Sequence, residues 1–125
     1  MTVPPVLDPA VLESLRELTP PGEPDVLKEV LQLFLDDVPA RVERLRSAWQ
    51  SGDAVAVQRA AHSLKGSAGN IGATDLLGVC RQLDELGRAG DLSNAAPLVT
   101  ALDAEFARVQ SEITSLITED RRRRD

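Results

Sequence analysis

The chain has 125 residues, a formal net charge of -6 and only 2% aromatic residues, with no tyrosine. This length suits one domain whose core needs no disulfide or metal, and the aliphatic composition favours packed helices over aromatic-rich strands. The acidic charge argues against a nucleic-acid partner, and the lack of an apolar run of roughly 18 residues argues against a membrane span.

The cysteine content and the N-terminus bear on the compartment. Cys80 is the only cysteine, so it cannot form an intrachain disulfide, and the single histidine does not stand at a spacing that would make a zinc site with it. The N-terminal residues contain prolines and no basic segment, which does not fit a signal peptide. We therefore expect a cytoplasmic protein.

The first helix is predicted from its start signal. Residues 1–7 are expected to form a flexible N-terminal segment. Asp8 suits the N-cap position, Pro9 suits the first helical position, and the helix is expected to run to about Leu18. A helix of this length needs tertiary support.

Two longer helices follow. The second is expected from Asp25 to about Ser51, and its apolar stripe stays in phase across Pro39, which favours one bent helix over two separate helices. The third is expected to begin after Asp53 as N-cap and to be closed by Gly72.

The last two helices are also bounded by breakers. The fourth is expected from about residue 73 to residue 88, with Gly87 and Gly90 available to stop it. The fifth follows Asp91, and Pro97 limits how early it can begin. Its apolar residues alternate steps of three and four, which is typical of a long bundle helix.

These elements predict an all-α fold. Four amphipathic helices with short connections bury their apolar stripes together as an antiparallel four-helix bundle, with the short first helix capping one end. The predicted domain covers residues 8–119. The charged segment 120–125, which contains four consecutive arginines, is expected to be a disordered tail.

The only histidine, His62, lies in the third predicted helix. On a helical wheel it points about 150° away from the centre of the apolar stripe, so it is expected to face outward. Its neutral imidazole is a usable nucleophile at physiological pH. The same polar sector contains Gln58, Arg59, Lys65, Gly66 and Gly69.

The neighbours of His62 suggest phosphoryl chemistry. Glycine in a helix lowers stability by about 1 kcal/mol relative to alanine, so Gly66 and Gly69 beside an exposed histidine suggest a functional reason for the missing side chains. Close approach of another macromolecule would be such a reason, with Gln58 and Arg59 on the contacting surface. Lys65, three residues after His62, is either an ordinary solvated lysine or the cation that holds a phosphate on the ring.

This run resembles the signature of histidine-containing phosphotransfer (Hpt) domains, and the resemblance extends across nearly the whole chain. The residues that carry it are Ala61-His62-Ser63-Leu64-Lys65-Gly66, followed by Gly69 and Gly72. The resemblance implies that His62 carries the phosphoryl group, that Lys65 stabilises the phosphate, and that the glycines give the partner access. It also implies a residue of the next helix that orients the imidazole: Asp84, with Gln82 and Glu85 less favoured.

The function implied by the resemblance is that of a phosphorelay intermediate. His62 would accept a phosphoryl group from a receiver-domain aspartate, or from a hybrid histidine kinase, and pass it to the aspartate of a response regulator. The chain is expected to be a monomeric phosphocarrier and not an enzyme, since it has no phosphate-binding glycine loop. No cofactor of its own is expected, and the receiver would supply Mg²⁺.

Three alternatives remain open at this point. The chain could be the phosphoacceptor module of a chemotaxis-type kinase, although a free-standing relay protein is favoured. It could be a helical adaptor that binds a partner without phosphorylation. A small hydrolase with His62 as nucleophile would need a cleft and converging catalytic partners, which an outward-facing histidine does not predict.

Overall fold

The computed structural model describes residues 5–124, with side chains up to residue 119, and these residues form five α-helices and no strand. The helices are α1 (Pro9–Glu17), α2 (Val26–Gln50), α3 (Ala54–Asn70), α4 (Thr74–Ala89) and α5 (Ala96–Arg124). The all-α prediction is confirmed. None of the described helices combines the length and apolarity that crossing a membrane requires.

Three helices have aspartate N-caps: Asp8 and Asp53, which were predicted as caps, and Asp25, which was predicted as the start of the second helix. Asp8 accepts a hydrogen bond from the backbone N–H of Ala10 at 2.9 Å, and Asp25 accepts one from Leu27 at 3.0 Å. Asp53 accepts one from the backbone N–H of Ala56, the third residue of α3, at 3.0 Å. Each carboxylate satisfies a donor that has no partner inside the helix.

Proline does not divide the second helix. α2 runs as one helix through Pro39, as the phase of its apolar stripe predicted. Val38 and Val42, on either side of the proline, are both buried in the core. Packing of this stripe therefore compensates for the backbone hydrogen bond that proline cannot donate.

Left-handed glycines close two of the helices. Gly72 has φ +72° after α3, and Gly90 has φ +72° at the C-cap of α4. Gly72 is also enclosed, because a Cβ there would lie 2.9 Å from the Cβ of Asp8. Gly87, which the sequence offered as another stop for α4, lies inside the helix.

The helices α2, α3, α4 and α5 surround one core. Each packs against its neighbour in sequence, and α2 contacts α5 to close the ring, while α1 packs against α2. The short connections make successive helices antiparallel. The predicted bundle with a short capping helix is therefore the observed fold. The largest fully buried side chains are Leu31, Leu45, Leu64, Ile71, Leu76, Leu83, Leu102 and Ile113.

Cys80 belongs to this core. It is fully buried and free, and burial raises the pKa of its thiol to about 12. Its thiol is therefore kept protonated and packs as a small apolar group.

Both ends of the domain differ from the predictions. Residues 1–4 of the expected flexible segment lie outside the described residues, but Leu7 is buried and the backbone N–H of Asp8 donates to the carbonyl of Gly72 at 2.8 Å. At the other end, α5 continues to Arg124, where a disordered segment from residue 120 was expected. That stretch contains no helix breaker, and arginine is a good helix former.

Candidate functional site

His62 lies near the middle of α3 with its ring directed away from the core. Ala61, Leu64 and Ala68 form the buried face of this helix. The His62 side chain is 60% exposed. The outward orientation predicted from the helical wheel is confirmed, because α3 must bury its apolar stripe against α2 and α4.

A close contact between α3 and α4 brings a carboxylate beside this histidine. A Cβ at Gly87 would lie 2.7 Å from the backbone nitrogen of Gln58, so the two helices approach each other with no side chain between them. Asp84, three residues before Gly87, shares this face of α4 and is buried. Gly87, predicted from the sequence as a stop signal, thus sets the α3–α4 distance at the site.

The two carboxylate oxygens of Asp84 have different partners. Oδ1 accepts hydrogen bonds from Nε2 of Gln58 at 2.9 Å and from Nε of Arg88 at 3.0 Å. Oδ2 accepts a hydrogen bond from Nζ of Lys65 at 3.0 Å and lies 3.7 Å from Nδ1 of His62. The side chain of Asp84 is only 4% exposed, so these groups replace most of its contact with water.

This environment keeps Asp84 negatively charged. Burial by itself would raise the pKa of the carboxyl, but the hydrogen bonds from Gln58, Arg88 and Lys65 outweigh burial and hold that pKa well below its usual range. A buried carboxylate with this many donors is a fixed negative charge at neutral pH.

The position of Asp84 distinguishes the two nitrogens of the His62 ring. Nδ1 is the nitrogen that lies 3.7 Å from the carboxylate, and 60% of the side chain is exposed, which leaves Nε2 as the nitrogen without this partner. A carboxylate beside Nδ1 favours the tautomer that carries its hydrogen on Nδ1 and leaves the Nε2 lone pair available. The site therefore presents a nucleophilic nitrogen on an exposed helix face.

The structure separates the three candidates for the orienting residue. Gln82 and Glu85 are exposed on α4, whereas Asp84 is buried with its carboxylate beside the ring. The geometry therefore favours Asp84. Its neighbours in sequence lie on a different face because successive residues of a helix are turned by about 100°.

The other predicted site residues have different surroundings. Lys65 is half-buried and its ammonium donates to Asp84, while its contact with a phosphate on the ring stays a prediction for the phosphorylated protein. Gln58, assigned to the partner surface, is also half-buried and donates to Asp84. Arg59 is exposed as predicted.

Gly66 and Gly69 lie on the exposed face of α3 beside His62. A Cβ built at either glycine meets nothing within 4 Å. The fold itself therefore does not require a glycine at these two positions. A requirement from outside the chain, such as the approach of a partner, fits this observation.

Two arginines at the site were missed from the sequence. Arg88 lies four residues after Asp84 on α4, and this i, i+4 spacing of opposite charges was a usable signal. Arg41 of α2 donates to the hydroxyls of Ser63 and Ser67 at 3.1 and 3.2 Å, which links α2 to the face of α3 that carries His62. Nothing local in the sequence indicates that cross-helix contact.

The surroundings of His62 do not resemble an enzyme cleft. A groove between α2 and α3 is lined by Arg59 and Ser63, but His62 is not among its lining residues. In the part of the chain that the structure describes, no three His, Cys, Asp or Glu side chains converge in a group able to hold a metal. The hydrolase alternative would require a cleft around the histidine, and this groove does not include His62.

Comparison with known proteins connects this site to one family. The family model described as Hpt domain matches residues 29–112 of the chain. Histidine-containing phosphotransfer protein 5 of Arabidopsis thaliana is 27% identical over 105 residues, which are 82% of this chain and 67% of that protein.

Two solved structures are similar to the bundle. Histidine-containing phosphotransfer protein B (HptB) from Pseudomonas aeruginosa PAO1 has 36% identity and a TM-score of 0.84, covering 92% of this chain and 96% of its own. The HPT domain from the Hpt sensor hybrid histidine kinase from Shewanella has 17% identity and a TM-score of 0.76, covering 91% and 95% of the two chains. The second similarity concerns the fold alone.

Proposed function

The chain belongs to the Hpt domain family of two-component phosphotransfer proteins, and from this premise we propose that it is a phosphorelay intermediate that carries the phosphoryl group on Nε2 of His62. The observation that carries the proposal is the exposed ring whose Nδ1 lies 3.7 Å from the buried Asp84 carboxylate. The donor is the aspartyl phosphate of a receiver domain, and the acceptor is the aspartate of a response-regulator receiver.

Each transfer exchanges one bond for another at phosphorus. The lone pair of Nε2 attacks the phosphorus of the donor aspartyl phosphate, a P–N bond forms, and the P–O bond breaks with its electron pair leaving on the aspartate carboxylate. The hydrogen on Nδ1 stays in place, so the phosphorylated ring carries a positive charge. In the second transfer the acceptor carboxylate attacks phosphorus and the P–N bond returns its electron pair to Nε2.

Asp84 stabilises the charge that appears on the ring during this reaction. Its carboxylate faces Nδ1, and it is held ionised by donors from both helices. A fixed negative charge in a water-poor position stabilises a developing cation more strongly than solvent does. The same contact limits rotation of the imidazole and aims Nε2 at the partner.

The partner supplies the rest of the chemistry. Phosphoryl transfer requires in-line positioning and neutralisation of the phosphoryl oxygens, commonly with Mg²⁺. We assign the Mg²⁺ and its acidic pocket to the receiver domain, and to this chain the rigid presentation of one nucleophile. The protein then acts as a monomeric carrier between a sensor or hybrid kinase and a response regulator.

Transfer from a phosphorylated receiver tests the proposal. A receiver domain labelled with ³²P is mixed with the protein in the presence of Mg²⁺, and the expected product is a labelled chain whose phosphate is labile to acid and stable to base. His62→Gln is expected to abolish labelling while its circular dichroism stays helical, because the side chain is exposed. Labelling that persists in this variant would refute the assignment of His62.

The choice of partner is resolved by the same assay. Every receiver domain of the source organism is tested as donor and as acceptor, and the cognate pair is the one with the fastest transfer in each direction. A protein that takes label from none of them, while remaining folded, would support the adaptor alternative.

A further inference from the structure

The two carboxylate oxygens of Asp84 have different kinds of partner: those of Oδ1 lie away from the His62 ring, and those of Oδ2 include the ring itself. Oδ1 is held by Gln58 of α3 and Arg88 of α4, and neither of these contacts involves the ring. Oδ2 is shared by Lys65 and by Nδ1 of His62, at 3.0 and 3.7 Å. The ammonium nearest to the reactive histidine is therefore bound to a carboxylate in the unphosphorylated protein.

Phosphorylation changes the balance around Lys65. A phosphoryl group on Nε2 adds close to two negative charges and three strong acceptors within reach of a lysine one turn away. Lys65 then has a better partner than Asp84. If it moves to the phosphoryl oxygens, Oδ2 loses its nearer donor and becomes free to accept a hydrogen bond from Nδ1 of the ring.

A buried carboxylate tolerates this loss only if another cation remains. Removing the single cation from a buried ion pair is strongly unfavourable, because the remaining charge is neither solvated nor paired. Asp84 is 4% exposed, so it meets this condition. Arg88 supplies the second cation, at Oδ1. Its side chain is 61% exposed, but solvent screens the ion pair less than this exposure suggests because the Asp84 carboxylate is buried.

We propose that Arg88 is a positioning residue of the relay: by holding Oδ1 of Asp84, it allows Lys65 to leave Oδ2 for the phosphoryl group on His62 while the carboxylate stays in place. This proposal rests on the proposed function. It assigns Lys65 two partners in turn, Asp84 before phosphorylation and the phosphoryl oxygens afterwards. Arg88 acts through Asp84 and touches neither the ring nor the phosphoryl group.

The first arm of the test uses the unphosphorylated protein and needs no phosphate. Nitrogen-15 NMR of the His62 ring measures the fraction of the tautomer with hydrogen on Nδ1. Arg88→Gln is expected to lower this fraction because the carboxylate loses an anchor, and Arg88→Lys is expected to restore part of it. Arg81→Gln removes the same charge from the exposed face of α4 and is the matched control.

The second arm measures phosphorylation by phosphoramidate, a small donor that replaces any receiver. Arg88→Gln is expected to slow formation of phosphohistidine about tenfold, the lower end of the effect of one lost hydrogen bond to a charged group. In a Lys65→Gln background the same substitution should slow the reaction by a larger factor, because it then removes the last cation from a buried carboxylate.

The outcomes separate this proposal from the proposed function. Equal losses in the two backgrounds, or an Arg88→Gln rate equal to that of Arg81→Gln, would overturn the role of Arg88. Tautomer fractions that do not differ between Arg88→Gln and wild type would also overturn it. Failure of the wild-type protein to accept phosphate from phosphoramidate and from every receiver would instead refute the proposed function, with the tautomer measurement still valid.

Discussion

The side chain of Asp84 is only 4% exposed, and polar side chains from two helices contact its carboxylate. Three of these groups come from Gln58, His62 and Lys65, which stand at i, i+4 and i+7 and so form one stripe along α3 facing α4. The fourth comes from Arg88, one turn along α4. Helical periodicity, which usually places apolar residues on one face, places three polar residues on one face of α3. The buried carboxylate of Asp84 lies against this polar face.

The lowered pKa of Asp84 predicts how the free energy of unfolding changes in acid. Its pKa is held below the unfolded value of about 3.9, so its contribution to folding is complete above that pH and is lost as pH falls below it. Asp84→Asn lacks this titration. Wild type should therefore be the more stable protein at pH 7, and the difference in free energy of unfolding should shrink between about pH 4 and pH 2.

Urea unfolding of both proteins at pH 7, 5, 4 and 3 measures this difference. Glu85→Gln removes a carboxylate from the exposed face of the same helix and controls for the loss of one negative charge. A wild-type advantage over Asp84→Asn that is as large at pH 3 as at pH 7 would contradict the pairing described for Asp84.

At the scale of the helix, α3 and the corner after it contain glycines that serve different purposes. Gly72 has a left-handed backbone and is enclosed by Asp8 and Val11, so the fold requires it. Gly66 and Gly69 are helical and open to solvent, and an added Cβ at either position meets no atom of this chain within 4 Å. These two glycines lower helix stability, and no close packing inside the domain requires them.

Gly66→Ala is predicted to increase stability and to reduce function. Alanine should raise the free energy of unfolding by about 0.5–1 kcal/mol, because it restricts the unfolded chain and meets no obstacle in the helix. Transfer from a receiver should slow roughly tenfold to a hundredfold, since a methyl group beside His62 displaces the partner from in-line geometry. Chemical denaturation and the ³²P transfer assay measure the two effects.

Two comparisons isolate the steric part of this prediction. Gly78→Ala adds the same methyl group to α4, where a Cβ also meets nothing within 4 Å, so stability should rise with transfer unchanged. Phosphoramidate is small enough to pass the new methyl group, so its reaction with Gly66→Ala should keep the wild-type rate. Unaltered transfer from the receiver would show that Gly66 has no role in access.

At the scale of the whole molecule, the N-terminal segment closes one end of the bundle. Leu7 enters the core, and the backbone of Asp8 is hydrogen-bonded to Gly72 at the corner between α3 and α4. The first helix is too short to be stable alone, and these contacts fix it against the other helices. The end of the helix that carries His62 is therefore held by residues distant in sequence.

Leu7→Ala is predicted to destabilise the whole domain. Truncation of a buried leucine should lower the free energy of unfolding by about 2–3 kcal/mol, from lost burial and the cavity that remains. Leu18→Ala, at a leucine that is 64% exposed just after α1, should change it by less than about 0.5 kcal/mol and is the control. Equal effects of the two substitutions in urea unfolding would show that Leu7 is not packed in solution.

Local patterns in the chain were enough to predict five helices, two aspartate caps, the bundle and the outward direction of His62, since each depends on helical periodicity or on capping chemistry within a few residues. They did not predict that Leu7 packs or that α5 continues to Arg124. Nor could they predict that Lys65 and Gln58 turn to Asp84 and that Arg41 reaches α3. Those contacts depend on the distance between helices, set at Gly87, and on the cost of leaving a buried carboxylate unpaired, which no single helix reveals.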